Sequence, residues 1–299
     1  MPVVCRPARI DDLKRADEIV VSSINELTER RGFGKMASSH PPNFQAFSLR
    51  DDPEGLWVAD DDGEIIGFAW SWVCGEFWFL AQLFVSPDRQ SDGIGNRLIG
   101  NAFAHAQMRG ASIKALITFT FNNVSQGLYI RHGLFPRFPI YMVSVPRDRI
   151  ASRLAEPQLH LEPLTGKKAR FHELALIDVS ALGVSREKHH RYLQSDSATS
   201  GFTIHDGNEC VGYVYISDGH IGPFAVRRSD LVSPAFAAAL SFAARSNSSI
   251  ISAFVPGASE PALETATDYG MRIKFPMLLM STRQFGDWAR YLPRNPGFM

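Results

Sequence analysis

The apolar residues near the start of the chain predict a strand followed by a helix. The short run at residues 3–7 is typical of a strand, and the segment after it repeats its apolar positions at helical spacing. Asp11 or Asp12 is the expected N-cap of this helix. Its apolar face is formed by Leu13, Ala16, Ile19 and Val20.

Two β-rich runs come next and flank an Asp-Gly pair in "LWVADDDGEIIGFAWSWV", residues 56–73. An Asp-Gly pair between such runs is a strong hairpin signal. A third run, "EFWFLAQLFV" at 76–85, is expected to extend the same antiparallel sheet. The pattern therefore predicts an α/β (α+β) class, with helices flanking a mixed but mostly antiparallel sheet.

The second half of the chain repeats this order of elements. "FTIHDGNECVGYVY" at 202–215 resembles "LWVADDDGEIIGFAW" at 56–70, and each has a run, an Asp-Gly turn and a strand with a Gly-aromatic pair. The repeat distance, about 145 residues, is that of a whole domain rather than a solenoid repeat. We predict tandem domains at residues 1–147 and 159–299, joined by a polar, proline-bounded linker at 148–158.

Composition and charge narrow the function classes. The chain has 299 residues, of which 45% are hydrophobic, and 31 basic residues balance 31 acidic ones. No net field attracts nucleic acid or an anionic membrane, so neither is an expected partner. The first residues lack a secretory signal and no segment approaches a membrane span, which predicts a cytoplasmic protein. Three distant cysteines fit neither a disulfide framework nor a zinc motif.

The most informative segment is "VSPDRQSDGIG" at 85–95, where a strand ends in a glycine turn that enters a helix. Such a turn directs backbone N–H groups outward at the positive end of the helix and favours an anion, best a phosphate. The dinucleotide motif fails because Leu98 replaces its third glycine. The P-loop also fails, since its nearest relative is "TGKK" at 165–168, which has no upstream glycine.

A third phosphate motif fits. Gln90-x-x-Gly93-x-Gly95 after an apolar strand resembles the acyl-CoA motif of the GNAT superfamily of N-acyltransferases. Downstream, "NNVSQGLYIRHGLF" at 122–135 resembles a second segment of that family. Ser125 and Leu134 replace the alanine and phenylalanine of its pattern. The matching residues are Asn122, Leu128, Tyr129 and Gly133.

The resemblance implies acetyl-CoA as co-substrate and assigns the site residues. Backbone N–H groups of the turn would hold the diphosphate, the strand end would pair with pantetheine, and a strand N–H among Leu83–Val85 would stabilise the oxyanion. Tyr129 would protonate the departing thiolate. Asp92 departs from the family pattern, and Arg89 and Arg97 are expected to offset its charge. The expected cofactor-binding residues are Leu83, Phe84, Val85, Gln90, Ser91, Asp92, Gly93, Ile94, Gly95, Asn96, Arg97, Asn122 and Ser125.

The general base stays open, because Gln82 occupies the strand position where many relatives have a glutamate. Water, His40, Glu26 or Glu29 are the alternatives. The adjacent His189 and His190 cannot chelate one metal as an i, i+4 pair does, and no metal is expected.

The second half lacks both chemical elements. Leu231, Pro234 and Phe236 stand at the glutamine and glycine positions of the motif, and Ala266 stands at that of the tyrosine. We expect this half to shape or cover the acceptor cleft, with residues 285–299 packed along it. The alternative is that it only completes the core of the first half.

Three functions remain in competition. The resemblance favours an N-acetyltransferase that transfers an acetyl or related acyl group to an amine of a small molecule or peptide by direct attack. Gln82 and Asp92 favour a non-catalytic acyl-CoA-binding protein, and a purely structural role leaves both motifs unexplained. The acceptor, the acyl chain length and the oligomeric state are not predicted.

Overall fold

A computed structural model describes residues 2–90, 92–151, 154, 156–164 and 171–299. The chain forms two compact units that do not follow the sequence order strictly. The first unit consists of Met1–Ile117, Phe121–Phe135 and Met280–Arg283, and the second of Thr118–Thr120, Pro136–Leu279 and Gln284–Met299. Residues 136–147, which the sequence interpretation assigned to the first domain, therefore belong to the second unit.

The first unit contains the predicted strand and helix, the predicted hairpin with its third strand, and the predicted helix after the glycine turn. Short 3₁₀ turns at Pro53–Gly55 and Pro87–Arg89 precede β2 and α3 respectively. Its elements are β1 (Val4–Pro7), α1 (Asp12–Arg30), α2 (Asn43–Asp51), β2 (Leu56–Asp61), β3 (Glu64–Cys74), β4 (Phe77–Val85), α3 (Ile94–Met108), β5 (Ile113–Phe119) and α4 (Asn123–Arg131).

The second unit repeats this order from β7 onward. A 3₁₀ turn at Ser229–Leu231 precedes α8. Its elements are β6 (Phe135–Pro146), α5 (Arg147–Ala151), β7 (His160–Pro163), α6 (Phe171–Leu182), α7 (Glu187–Ser195), β8 (Ser200–Asp206), β9 (Glu209–Ser217), β10 (His220–Val226), α8 (Val232–Ala243), β11 (Ile250–Pro256), α9 (Glu260–Asp268), β12 (Arg272–Ser281) and β13 (Tyr291–Leu292).

The sheets confirm the predicted fold class. In the first unit the order is β1-β2-β3-β4-β5, antiparallel except for the parallel pair β4–β5. In the second unit the order is β12-β6-β11-β10-β9-β8-β7, with β10–β11 parallel. Asp62 and Gly63 both have positive φ in the β2–β3 hairpin, as the Asp-Gly pattern predicts. None of the described helices is long and apolar enough to span a bilayer.

Helices cover the first unit's sheet, and α1 does so with the face that the sequence predicts. Leu13, Ala16, Ile19 and Val20 of α1 are all buried. Helix α3 packs Ile94 and Leu98 against β2 and β3, where Gly67 leaves room because an added Cβ would lie 3.0 Å from Leu98 Cδ1. This packing fixes the first turn of α3 beside the end of β4.

A buried polar chain anchors the other end of α3. His105 Nε2 lies 2.9 Å from Asp52 Oδ2, and His105 Nδ1 lies 3.1 Å from Ser71 Oγ in β3. Arg109 donates to Asp52 Oδ1 at 2.6 Å. Burial acts to raise the pKa of Asp52, but the hydrogen bonds from His105 and Arg109 outweigh it and hold this pKa below its ordinary value. Ser71, His105 and Asp52 resemble a nucleophilic triad. Ser71 is buried, however, and its hydroxyl donates to the Gly55 carbonyl, so the role of these residues is structural.

Replacing Asp52 by Asn should therefore destabilise the protein in a pH-dependent way. A carboxylate with a lowered native pKa stabilises the fold at neutral pH, and this contribution is lost as the pH falls through the lowered pKa. We expect Asp52→Asn to reduce the free energy of unfolding by about 2 kcal/mol near neutral pH. Denaturation at about pH 7 and about pH 2.5 should show the deficit shrinking in acid. The exposed Asp11→Asn is the control, and a deficit equal at both pH values would refute this role.

Candidate active site

A bulge in β4 separates this strand from its parallel neighbour. Trp70 of β3 is paired with Gln82, but the next residue, Ser71, is paired with Leu80, so Ala81 is the extra residue. The parallel ladder to β5 extends only from Phe77 to Leu80, although β4 continues to Val85. A bulge bends its strand and strengthens the local twist. The last five residues of β4 thus present one backbone edge beyond the β5 ladder.

The alternation of the β3–β4 ladder shows which backbone groups face this open edge. Ser86 N–H donates to the Ile66 carbonyl at 2.8 Å, so Ser86 and, two residues back, Phe84 bond to β3. Leu83 and Val85 have the opposite parity and direct their N–H and C=O groups away from β3. Of the three predicted oxyanion donors, Leu83 and Val85 are therefore the ones oriented toward the open edge of β4.

Two side chains, one from the turn and one from α1, bind the Val85 carbonyl at the start of the turn after β4. Gln90 Nε2 and Ser23 Oγ each donate to the Val85 carbonyl at 3.2 Å. Gly93 is the residue before α3 and has φ +74°, a left-handed conformation that favours glycine. A Cβ added there would meet no heavy atom within 4 Å, so the space above this turn is open. Ser91 lies outside the described residues.

The first turn of α3 offers backbone groups rather than side chains. Ile94 is buried in the core, so its side chain does not reach a ligand. Asn96 and Arg97 are exposed, and Arg97 donates to the Val3 carbonyl at 2.8 Å. Free N–H groups at a helix N-terminus, beside a glycine in left-handed conformation, form an anion-binding geometry.

Asp92 points toward Arg89. The Arg89 guanidinium contacts Asp61 at 2.7 Å and Asp92 at 3.5 Å, and Asp92 is 55% exposed. A carboxylate this exposed is screened by water, and the neighbouring guanidinium compensates part of its charge. Arg89 thus has the predicted compensating position, whereas Arg97 is engaged with a backbone carbonyl.

Helix α4 brings the second motif beside the first. The Asn122 side chain caps α4 by accepting from Ser125 N–H at 3.2 Å. A Cβ on Gly95 would lie 3.8 Å from Leu128 Cδ2, an ordinary van der Waals distance. Tyr129, the next residue, is 6% exposed. Burial raises the pKa of Tyr129, and a hydrogen bond with Ser125 opposes this rise. The phenol therefore stays protonated at neutral pH.

The two motifs occur within one matched segment. Residues 22–134 match the model of the acetyltransferase (GNAT) family. This segment belongs to the GNAT family. It contains both the glycine turn and Tyr129, and the resemblance inferred from them is confirmed.

The sequence matches to curated relatives cover only part of the chain. The mycothiol acetyltransferases of Streptomyces bingchenggensis and Streptomyces coelicolor are 30% identical over 112 residues, covering 32% of this chain and 35% of each relative. The match thus spans about a third of their length. An uncharacterized N-acetyltransferase of Archaeoglobus fulgidus is 28% identical over 121 residues, 37% of this chain and 78% of its own.

Solved structures extend the likeness to nearly the whole chain. A candidate acetyltransferase from Pyrococcus horikoshii has a TM-score of 0.74 at 14% identity, covering 99% of this chain and 96% of that one. A GCN5-related N-acetyltransferase from Sphaerobacter thermophilus scores 0.65 at 17% identity and covers 95% of both chains. A tandem GNAT protein from the clavulanic acid biosynthesis pathway scores 0.63 at 14% identity, covering 94% and 98%. These identities show the fold alone, a tandem GNAT fold.

Gln82, at the strand position where the sequence comparison expects a glutamate, contacts a second amide. Gln45 of α2 donates to Gln82 Oε1 at 3.3 Å, and Phe44 packs edge-on against Trp70 with ring centroids 4.9 Å apart. Helix α2 therefore lies over the bulge. The other candidate bases lie at the surface or contact neighbouring residues there. Glu26 pairs with Arg30, His40 contacts Ser38, and Glu29 is exposed.

The second unit has the same strand, 3₁₀ turn and helix, but not an open GNAT site. Pro234 in the first turn of α8 has no N–H, and Leu231 and Phe236 are buried. The parallel pairing of β10 with β11 covers His220 and Ile221, and β13 then pairs antiparallel with Phe224 and Ala225. The tail thus fills, within its own unit, the strand position that stays open in the first unit. Ala266, at the tyrosine position, is buried in α9.

Proposed function

We propose that this chain transfers an acetyl group from acetyl-CoA to an amine of a small molecule or peptide. The observation that carries the proposal is the open edge of β4 beside the Gly93 turn, with Tyr129 on the adjoining helix. The second unit supports it by contrast, since β13 occupies the equivalent edge there. The activity of the chain, its acceptor and its mechanism are all part of this proposal.

The residues of the first unit fit acetyl-CoA. Backbone N–H groups of the turn, such as those of Gly93 and Gly95, would hold a diphosphate, and the space above Gly93 admits one. One of the outward N–H groups of Leu83 and Val85, together with the Leu83 C=O, suits the amide groups of pantetheine, in the manner of an added strand. Bound there, acetyl-CoA supplies an acetyl thioester that an amine can attack.

Each step then has a group of this chain. As the amine forms its bond to the acyl carbon, the outward N–H of Leu83 or Val85 stabilises the negative charge that develops on the carbonyl oxygen. As the C–S bond breaks, Tyr129 gives its phenolic proton to the sulfur. The amine releases its proton to water, because the amides of Gln82 and Gln45 cannot accept one.

The Gln45–Gln82 contact also favours a second candidate, an acyl-CoA-binding protein that does not turn the thioester over. Both candidates bind the thioester, but only an enzyme releases free thiol when an amine is present. Screening amines with acetyl-CoA and measuring thiol release separates them. If no amine of the panel causes thiol release although acetyl-CoA binds tightly, the second candidate is favoured.

A bulky residue at position 93 should abolish CoA binding without unfolding the protein. CoA at 100 times its dissociation constant stabilises a fold by about 2.7 kcal/mol, which appears as a thermal shift. Gly93→Leu should remove this shift because its side chain fills the open space above the turn. Gly110→Leu is a matched control, since Gly110 is also exposed at an end of α3, with φ +67° and open space.

Both variants should lose about 1–2 kcal/mol of stability to left-handed backbone strain. Only Gly110→Leu should keep the CoA shift. Equal shifts in the two variants would mean that the turn does not bind CoA.

Removing the charge of Asp92 should strengthen CoA binding. At low salt, Asp92→Asn should lower the dissociation constant about two- to fivefold, as expected for one exposed charge. The gain should shrink as salt rises, because salt screens exposed charges. Pantetheine, which has no phosphate, is the control ligand and should bind both proteins equally. Weaker CoA binding by the variant would instead identify Asp92 as a contact.

Replacing Tyr129 by Phe should separate chemistry from binding. The variant keeps the ring and loses only the proton donor, so turnover should fall about 10²- to 10⁴-fold while the dissociation constant for acetyl-CoA changes little. Turnover is measured with an amine from the screen, under conditions where chemistry is rate-limiting. Tyr269 precedes Gly270, the second-unit counterpart of Gly133. Tyr269→Phe is therefore the control and should retain full activity. A Tyr129→Phe enzyme with nearly normal turnover would leave Tyr129 as a core aromatic.

A further inference from the structure

Two histidines and a glutamate meet on one face of the β7–β8 ladder, in the second unit. The antiparallel register pairs His160 with His205 and Glu162 with Thr203. Directly paired residues share a face of a sheet, as do residues two apart along a strand. The four side chains therefore form one patch, at the edge of the sheet where β7 is the last strand.

Two of the distances within this patch are close to those of a ligand set. Glu162 Oε2 lies 3.3 Å from His205 Nε2, and Glu162 Oε1 lies 3.5 Å from His160 Nε2. The two imidazoles stack with centroids 5.2 Å apart, and the three ligand atoms all lie within 4.8 Å of one another. Metal–ligand bonds of 2.0–2.1 Å in tetrahedral geometry separate neighbouring ligand atoms by about 3.3 Å. The two measured N–O distances are close to this spacing.

We propose that His160, Glu162 and His205 bind a divalent transition-metal ion, for which Zn²⁺ is the appropriate probe. Two imidazoles and one carboxylate are a donor set that zinc binds through nitrogen and oxygen, with further positions open. His205 is 5% exposed, whereas His160 and Glu162 are each 52% exposed. The ion thus has one buried ligand and two that reach it from the surface, which leaves its remaining positions open to water.

The surroundings hold the imidazole of His205 in place, and a bound ion would displace the contact that its Nε2 makes with Thr203. This Nε2 lies 3.0 Å from Thr203 Oγ1, whose hydroxyl donates to the Glu162 carbonyl at 3.4 Å. The imidazole is thereby oriented toward the carboxylate. One carboxylate thus lies within 3.5 Å of two imidazole nitrogens, an arrangement that a shared metal ion accounts for.

This site revises the expectation that the protein binds no metal, which rested on the adjacent His189 and His190. His190 instead contacts Asp178 and Tyr215 inside the second unit. The metal ligands are distant in sequence, and only the register of β7 against β8 brings them together. Pairing through a metal would also fasten a four-residue strand at the edge of the sheet.

The test is a Zn²⁺ titration of the chelator-treated full chain by calorimetry, with the melting temperature recorded in parallel. We expect about one equivalent to bind and the melting temperature to rise. Loss of an outer-shell partner already costs 10–100-fold in affinity, so His160→Ala and Glu162→Gln should each weaken binding by at least about 100-fold. His40→Ala, an exposed histidine of the first unit, is the control and should bind as the wild type does.

Co²⁺ provides a second readout, because its visible absorption reports nitrogen coordination. The Co²⁺ bands should be present in the wild type and in His40→Ala, and absent in the two ligand variants. Both ligand variants change half-exposed side chains, and circular dichroism will verify their fold. Failure of the wild type to bind Zn²⁺, or equal affinity in His160→Ala and the wild type, would overturn the proposal.

Discussion

The backbone of β4 must satisfy its hydrogen bonds on two sides, and beyond the bulge at Ala81 its neighbouring strands do so on one side only. Beyond Leu80 the parallel ladder to β5 ends, although β3 continues to pair with the opposite edge. Buried N–H and C=O groups are almost always hydrogen-bonded, because leaving them unpaired costs free energy. Part of this demand is met by Ser23 and Gln90, which both donate to Val85. The remaining outward groups are the basis of the proposed acetyl-CoA site.

The two units meet this constraint in different ways. In the second unit, β13 pairs with Phe224 and Ala225 of β10, and Val226 N–H donates to the Arg290 carbonyl. Strand pairing is thus completed internally, and Pro234 removes an N–H from the following helix. Two features thus distinguish the second unit from the first. A strand occupies the edge of β10, and larger side chains stand at the glycine positions of the motif. The fold itself does not need the site.

Local features of the fold were predictable, and long-range ones were not. The Asp62-Gly63 hairpin, the buried face of α1 and the glycine turn before α3 depend on residues close in sequence, so periodicity and turn chemistry predict them. The assignment of residues 136–147 to the second unit and of Met280–Arg283 to the first depends on pairing between distant strands. The same reason hid the position of His205 opposite His160. In the candidate site, motif spacing located the turn and Tyr129, but the choice of Leu83 and Val85 over Phe84 required the ladder register.

The acid and base sides of the proposed site are unequal, and this inequality bears on the acceptor. Burial raises the pKa of Tyr129, so in the proposed reaction the phenol is protonated and able to donate to the departing thiolate. On the other side, the amide of Gln82 cannot remove a proton from an ammonium group. The cost of forming the neutral amine is then set by its own pKa, at about 1.4 kcal/mol per unit. An α-amine with a pKa near 8 is cheaper to deprotonate than a lysine side chain by about 3 kcal/mol. Within the proposed reaction, the single change from glutamate to glutamine thus favours weakly basic amines as acceptors.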